Sequence, residues 1–195
     1  MKLLQAIITL SLSVVLAFYT AKISVARWEG SLAKVSIAGC VLSALATTGS
    51  ILIEGLGMHN IQTILLCCVF LYGSYGDIKT HTADGFIHVI VLAAALIAKP
   101  AAEIPEALLS AVVLGGIMLA VAVFLKGAGI GGADIKFVAA CAFLTTLEGG
   151  LWGLGIGTLA ALLFNSPYRK KEGAGKGFPM LPYLSCSYML VHLLF

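Results

Sequence analysis

Long apolar stretches separated by short polar segments run the whole length of the chain, at 3–21, 35–53, 61–76, 86–98, 107–125, 134–147, 150–164 and 179–195. Each predicts a helix, and the longer ones approach the roughly 20 apolar residues that cross the hydrocarbon core of a bilayer. The stretches at 86–98 and 134–147 fall short of that length. They predict helices buried among the others or beginning below the membrane surface, so the number of true spans lies between six and eight. The pattern therefore predicts an all-α, polytopic membrane helix bundle of about eight helices, formed by 1–195 as a single domain.

Composition narrows the choice of solvent. Of 195 residues, 60% are hydrophobic and 11% charged, and the mean hydropathy is +1.04. A water-soluble domain carries about a quarter charged residues, and disorder requires low hydrophobicity with high charge. Lipid is the medium that fits. The first stretch begins like a secretory signal, but Tyr19 and Thr20 match a small-x-small cleavage site poorly, which favours a retained helix.

The net charge of +3 and pI of 8.6 come without a concentrated basic stripe, which argues against a nucleic-acid partner. The placement of the charges says more than their sum. With eight spans, Lys22, Arg27, Lys34, Lys79, Lys126, Lys136, Arg169, Lys170, Lys171 and Lys176 all fall on one side, and only Lys2 and Lys99 on the other. Because basic residues in short loops collect on the cytoplasmic face, this predicts both termini outside and the odd-to-even loops in the cytoplasm. The polar segment at 165–177 reads as a cytoplasmic loop whose Arg-Lys-Lys run holds the topology.

Cys40, Cys67, Cys68, Cys141 and Cys186 have neither zinc-site spacing nor an even count, and read as small buried hydrophobes. Two glycine-rich runs imitate nucleotide-binding motifs. KGAGIGG at 126–132 follows an apolar helix where a dinucleotide fold needs a strand, and EGAGKG at 172–177 lacks the Ser or Thr after its lysine. Neither predicts a cofactor. Gly149, Gly153 and Gly157 recur every fourth residue, a packing face whose partner is either another helix of this chain or another subunit; the oligomeric state is left open.

Two aspartates adjoin membrane helices. Asp77 closes LYGSYGD at the third stretch and Asp134 opens the sixth within GGADIKF, and the charge pattern puts both at the cytoplasmic boundary. An acid at membrane depth is costly and points to function. The alternative is a carboxylate solvated among headgroups and paired with Lys79 or Lys136. If the two carboxyls meet, they share a proton, one acting as base toward water and the other as acid toward a carbonyl, which suffices to hydrolyse a peptide bond. That chemistry needs no metal or cofactor, in keeping with histidines scattered at 59, 81, 88 and 192, of which only His81 shares the Asp77 loop.

These residues resemble the type IV prepilin peptidases, intramembrane aspartic proteases related to preflagellin peptidases. The resemblance spans roughly 61–184 and rests on DIKTHTADGF at 77–86, GGADIKF at 131–137 and the paired prolines of FPMLPYL at 178–184. It implies that Asp77 and Asp134 are the catalytic pair, supported in site geometry by Gly131, Gly132, Lys136, Pro179 and Pro182. It also implies cleavage of the short basic leader of a prepilin-like precursor at the cytoplasmic face of the inner membrane, in pilus assembly or protein secretion. Two departures stand out: Ala133 replaces the usual glycine before the second aspartate, and Ala83-Asp84 stands where Ile-Pro is common. The cysteine-rich cytoplasmic insertion of larger members, associated with N-methylation, has no counterpart, so the resemblance implies a peptidase and carries no commitment to methylation. The competing class is a small proton- or cation-coupled transporter or channel using the same two aspartates, which would favour acids at mid-membrane and matched broken helices.

Overall fold

A computed structural model describes residues 1–125, 130–172 and 179–195, the side chains of 165–172 excepted. Eight α-helices follow one another: α1 Lys2–Trp28, α2 Leu32–Glu54, α3 Met58–Thr80, α4 Phe86–Ala98, α5 Ile104–Phe124, α6 Gly132–Leu144, α7 Leu147–Glu172 and α8 Leu181–Leu194, with one 3-10 turn at Ala101–Glu103 before α5. Strands are absent from the described residues. Five helices are long and apolar enough to cross a bilayer, as expected of an integral membrane bundle. Large apolar side chains face outward along them, Leu45, Leu52, Val112 and Leu163 among the most exposed.

The core lies around α6. Phe137, Val138, Ala140, Cys141, Ala142, Phe143 and Leu144 are all buried, so this helix is enclosed nearly all round, with α4, α5, α7 and α8 packed against it. At 13 residues α6 extends only about 20 Å, well short of the roughly 30 Å hydrocarbon core, as the pattern predicted. Its end comes three residues earlier than the apolar stretch suggested. Thr145 turns extended, and the Thr146 hydroxyl accepts the Gly149 N–H at 3.1 Å, capping α7.

Other boundaries also moved. Helix α1 continues through Arg27 to Trp28, whose ring packs against Tyr72 in a tilted arrangement at 4.7 Å between centroids. The expected polar loop at 165–177 is helical as far as Glu172; Lys176, with the rest of 173–178, lies outside the described residues, as do Lys126, Gly127 and Gly129 of the first glycine-rich run. Of the five cysteines only Cys141 is buried; Cys186 is exposed, and Cys40, Cys67 and Cys68 are half-buried against neighbouring helices, Cys40 with its Sγ 3.5 Å from the Val14 carbonyl of α1.

The glycine face of α7 packs on α8 of the same chain. A Cβ at Gly153 would stand 2.6 Å from the Tyr188 ring, and one at Gly157 would stand 3.1 Å from the Leu184 Cα. The approach brings hydrogen bonds with it: Ser187 Oγ donates to the Gly153 carbonyl at 2.7 Å and Tyr188 OH to the Gly150 carbonyl at 3.2 Å. Lipid supplies no hydrophobic drive between helices, so such close contact and hydrogen bonding hold α7 against α8. A similar polar seam joins α1 to α2, where the Ser13 hydroxyl lies 2.6 Å from that of Ser43 and 2.8 Å from that of Thr47.

Gly153→Val and Gly157→Val should each lower unfolding stability in detergent by about 1–3 kcal/mol through overpacking. Gly155→Ala should not, since a Cβ there meets nothing within 4 Å. Thermal unfolding of the three purified variants checks this, and equal melting for all three would refute the packing role.

Candidate active site

Asp77 lies in the last turn of α3, on the face it shares with Gly73 one turn earlier. A Cβ at Gly73 would stand 3.1 Å from Ile87 and 3.4 Å from Leu181, so glycine there lets α4 and α8 approach α3 beside the carboxylate. At Gly76 the same atom would be 2.7 Å from the Trp28 ring. Asp77 is buried, 6% exposed, and its Oδ2 accepts the Leu181 N–H at 2.9 Å. That amide opens α8, so the carboxylate occupies the positive end of a helix. Its own carbonyl accepts the His81 N–H at 2.9 Å, where α3 ends in a left-handed residue.

Pairing with lysine, the alternative considered for an ordinary loop acid, is not found. Lys79 sits over the Tyr75 ring at 5.6 Å, and Lys136 is exposed. The one ion pair among the described residues joins Arg27 to Asp84 at 3.1 Å. Tyr72 OH donates to the other Asp84 oxygen at 2.9 Å, so the α3–α4 loop is pinned to α1 and α3.

Asp134 is the third residue of α6. Its Oδ2 accepts the Gly131 N–H at 3.0 Å while the Gly131 carbonyl accepts the Asp134 N–H at 3.1 Å, a reciprocal cap of the helix start. A Cβ at Gly131 would press to 3.3 Å from that carboxylate; at Gly132 it would meet nothing. Asp134 is half-buried, whereas Gly131 and Gly132 are exposed. Pro182 occupies the first turn of α8, where proline gives up no helical hydrogen bond, and Pro179 precedes that helix, half-buried.

The fold thus gathers the C-terminus of α3 and the N-termini of α4, α6 and α8 at one end of the bundle. The two carboxylates lie within electrostatic reach of each other, yet they do not hydrogen-bond, and no Cα of α3 comes within 8 Å of α6. An apolar groove of about 470 Å³ runs between α2, α3 and α8, with Ser74, Ile78 and Pro182 in its wall; Asp77 does not line it.

A family model described as the type IV leader peptidase family matches residues 64–177, more than half of the chain. The chain belongs to the type IV leader peptidase family. Membership makes it a membrane peptidase, a hydrolase acting on protein substrates. The match takes in both aspartates but stops short of Pro179 and Pro182. No curated protein and no solved structure matches the chain.

Three features of the site had no sequence signature. The Ala133 contact of His88, the Arg27 contact of Asp84 and the Leu181 amide on Asp77 each span at least 45 positions, and Asp84 bonds Tyr72 as well, 12 positions away. The only available hint was a lone histidine and a lone acid flanking an otherwise apolar helix.

Asp84→Ala should loosen the α3–α4 loop, speeding amide hydrogen exchange across 80–87 while leaving α7 and α8 protected. Unchanged exchange in that loop would show that the Arg27 and Tyr72 contacts do not hold it.

Proposed function

We propose that this leader peptidase is of the aspartic type, with Asp77 and Asp134 as its catalytic carboxylates. The observation that carries the reading is that two acids 57 positions apart are brought to the same end of the bundle, each at a helix N-terminus, Asp77 buried and Asp134 half-buried. In the proposed reaction one carboxylate takes a proton from water as it attacks the scissile carbonyl, and the other, protonated, donates to that carbonyl oxygen. Substrate binding closes the pair, drawing the Asp134 side chain from its cap at Gly131 toward Asp77. The exposed turn at Gly131 and Gly132 leaves room for an extended substrate backbone.

The substrate in this reading is a prepilin-like precursor, a short basic leader followed by an apolar helix, matured for pilus assembly or secretion. The apolar groove between α2, α3 and α8 suits that helix, and the basic residues Lys79 and Lys136 support a site at the cytoplasmic face of the inner membrane. Both termini then lie outside. Methylation of the new N-terminus is not part of the proposal.

Purified protein in detergent, incubated with such a precursor, should yield one cut before the apolar helix, read by mass analysis. Asp77→Asn and Asp134→Asn should each lower the rate at least 10²-fold, the scale of general acid–base catalysis, while still inserting in membranes. Substantial cleavage by either variant would end the assignment. Proton flux through liposomes holding the wild-type protein, without cleavage, would favour the transporter reading instead.

A further inference from the structure

His88 stands in the first turn of α4 and is 7% exposed. Its ring bridges two backbone carbonyls: Nδ1 lies 3.1 Å from the Gly85 oxygen, and Nε2 lies 3.0 Å from the Ala133 oxygen. A carbonyl can only accept. A neutral imidazole carries one N–H, so in either tautomer the second nitrogen would aim its lone pair at an oxygen. A ring that donates from both nitrogens satisfies both contacts and carries a positive charge.

That charge falls next to Asp134, the residue after Ala133. Among the described residues the titratable and charged groups at this end of the bundle include Asp134 and Lys136 on α6, Asp77, Tyr72, Tyr75 and Lys79 on α3, Arg27 on α1, and His81 and Asp84 in the loop between α3 and α4. Asp77 is bonded to the Leu181 amide, and Asp84 is bonded to Tyr72 and Arg27. His81 is exposed and acts on Asp77. Burial opposes the charge on Asp134, while the Gly131 amide and, when it is charged, the His88 ring favour it. The only aromatic ring in contact with His88 among the described residues is Phe137, edge-on at 6.5 Å between centroids.

We propose that His88 is a positioning residue of the peptidase site: as an imidazolium it ties the α3–α4 loop to the turn before Asp134 and keeps that carboxylate ionised. The inference rests on the reading of Asp77 and Asp134 as the catalytic pair and deepens it by assigning roles. Asp134 is then the base, and the proton of the pair stays with Asp77. It also gives Ala133 a purpose that depends on its carbonyl and not on its side chain.

The test compares wild type with His88→Gln, which keeps one donor and removes the charge, by measuring kcat and KM for precursor cleavage across pH. With the cation gone, Asp134 holds its proton to higher pH, so the acidic limb of the kcat profile should move up by roughly one pH unit or more. On the acidic side of that limb kcat should fall about tenfold, with KM within about threefold. A wild-type limb and kcat in a folded His88→Gln variant would overturn the inference.

Should that variant not fold, the wild-type protein answers by itself. Nitrogen NMR of the His88 ring at pH 7, assigned by loss of the signals in His88→Gln or in variants lacking the other histidines, should show both nitrogens protonated, and one unprotonated nitrogen would overturn the proposal. Asp134→Asn is measured alongside. Activity surviving in Asp134→Asn removes the catalytic pair itself, whereas an inactive Asp134→Asn with an unperturbed His88→Gln removes only the role given to His88.

Discussion

Backbone amides at the start of a helix have no partner within it, and in a low-dielectric bundle each must find one. Most helices meet this demand in the headgroup region. Helices α6 and α8 cannot do so at both ends, because 13 and 14 residues rise only about 20 Å against a core of roughly 30 Å. Their first turns lie among protein groups, and carboxylates satisfy them: Asp134 accepts the amide of the residue capping α6, and Asp77 accepts the first amide of α8. In these two short helices the acids meet the backbone where the helix begins, whereas α4, equally short, begins without one. The local positive ends of α6 and α8 make burial of those acids tolerable.

The same arrangement couples packing to the site. Helix α8 is held laterally by the glycine face of α7 and, through its first amide, by Asp77 on α3. A small shift of α8 along α7 would move the Leu181 N–H away from the carboxylate without touching either acid. Glycines at 153 and 157 are therefore connected to the Asp77 carboxylate by two steps of direct contact, first through Tyr188 and Leu184, then through the N-terminus of α8.

The apolar pattern made the helices legible because in lipid an uninterrupted apolar stretch has few other ways to satisfy its backbone. It misplaced their ends for specific reasons. Lys22 and Arg27 made α1 look shorter than it is, although Arg27 lies across Trp28 and reaches Asp84. No drop in hydropathy marks the break between α6 and α7, since it is made by the backbone at Thr145 and a hydroxyl cap at Thr146. At the site, the order of helices was enough to bring Asp77 and Asp134 to one end. Their hydrogen-bond partners were not legible, because an amide or a carbonyl leaves no trace in residue identity. Asp84 illustrates the point: seen as a departure from a familiar motif, it is in place the anchor that Tyr72 and Arg27 share.

Two like charges sharing one site need some asymmetry if one is to hold a proton and the other to remove one. The surroundings differ in the direction this requires. Asp77 is nearly closed off from solvent and has one helix amide to support its charge. Asp134 is half-buried beside an exposed glycine turn, has the Gly131 amide, and lies next to a histidine whose ring faces two carbonyl oxygens. Water reaches Asp134 more easily than Asp77, so a base at position 134 would meet its nucleophile from the open side, and an acid at position 77 would face the substrate carbonyl from the closed one. Such a division assigns the exposed turn to water and the enclosed helix end to the leader's peptide bond, which is the order in which an aqueous reagent and a membrane-anchored substrate would arrive.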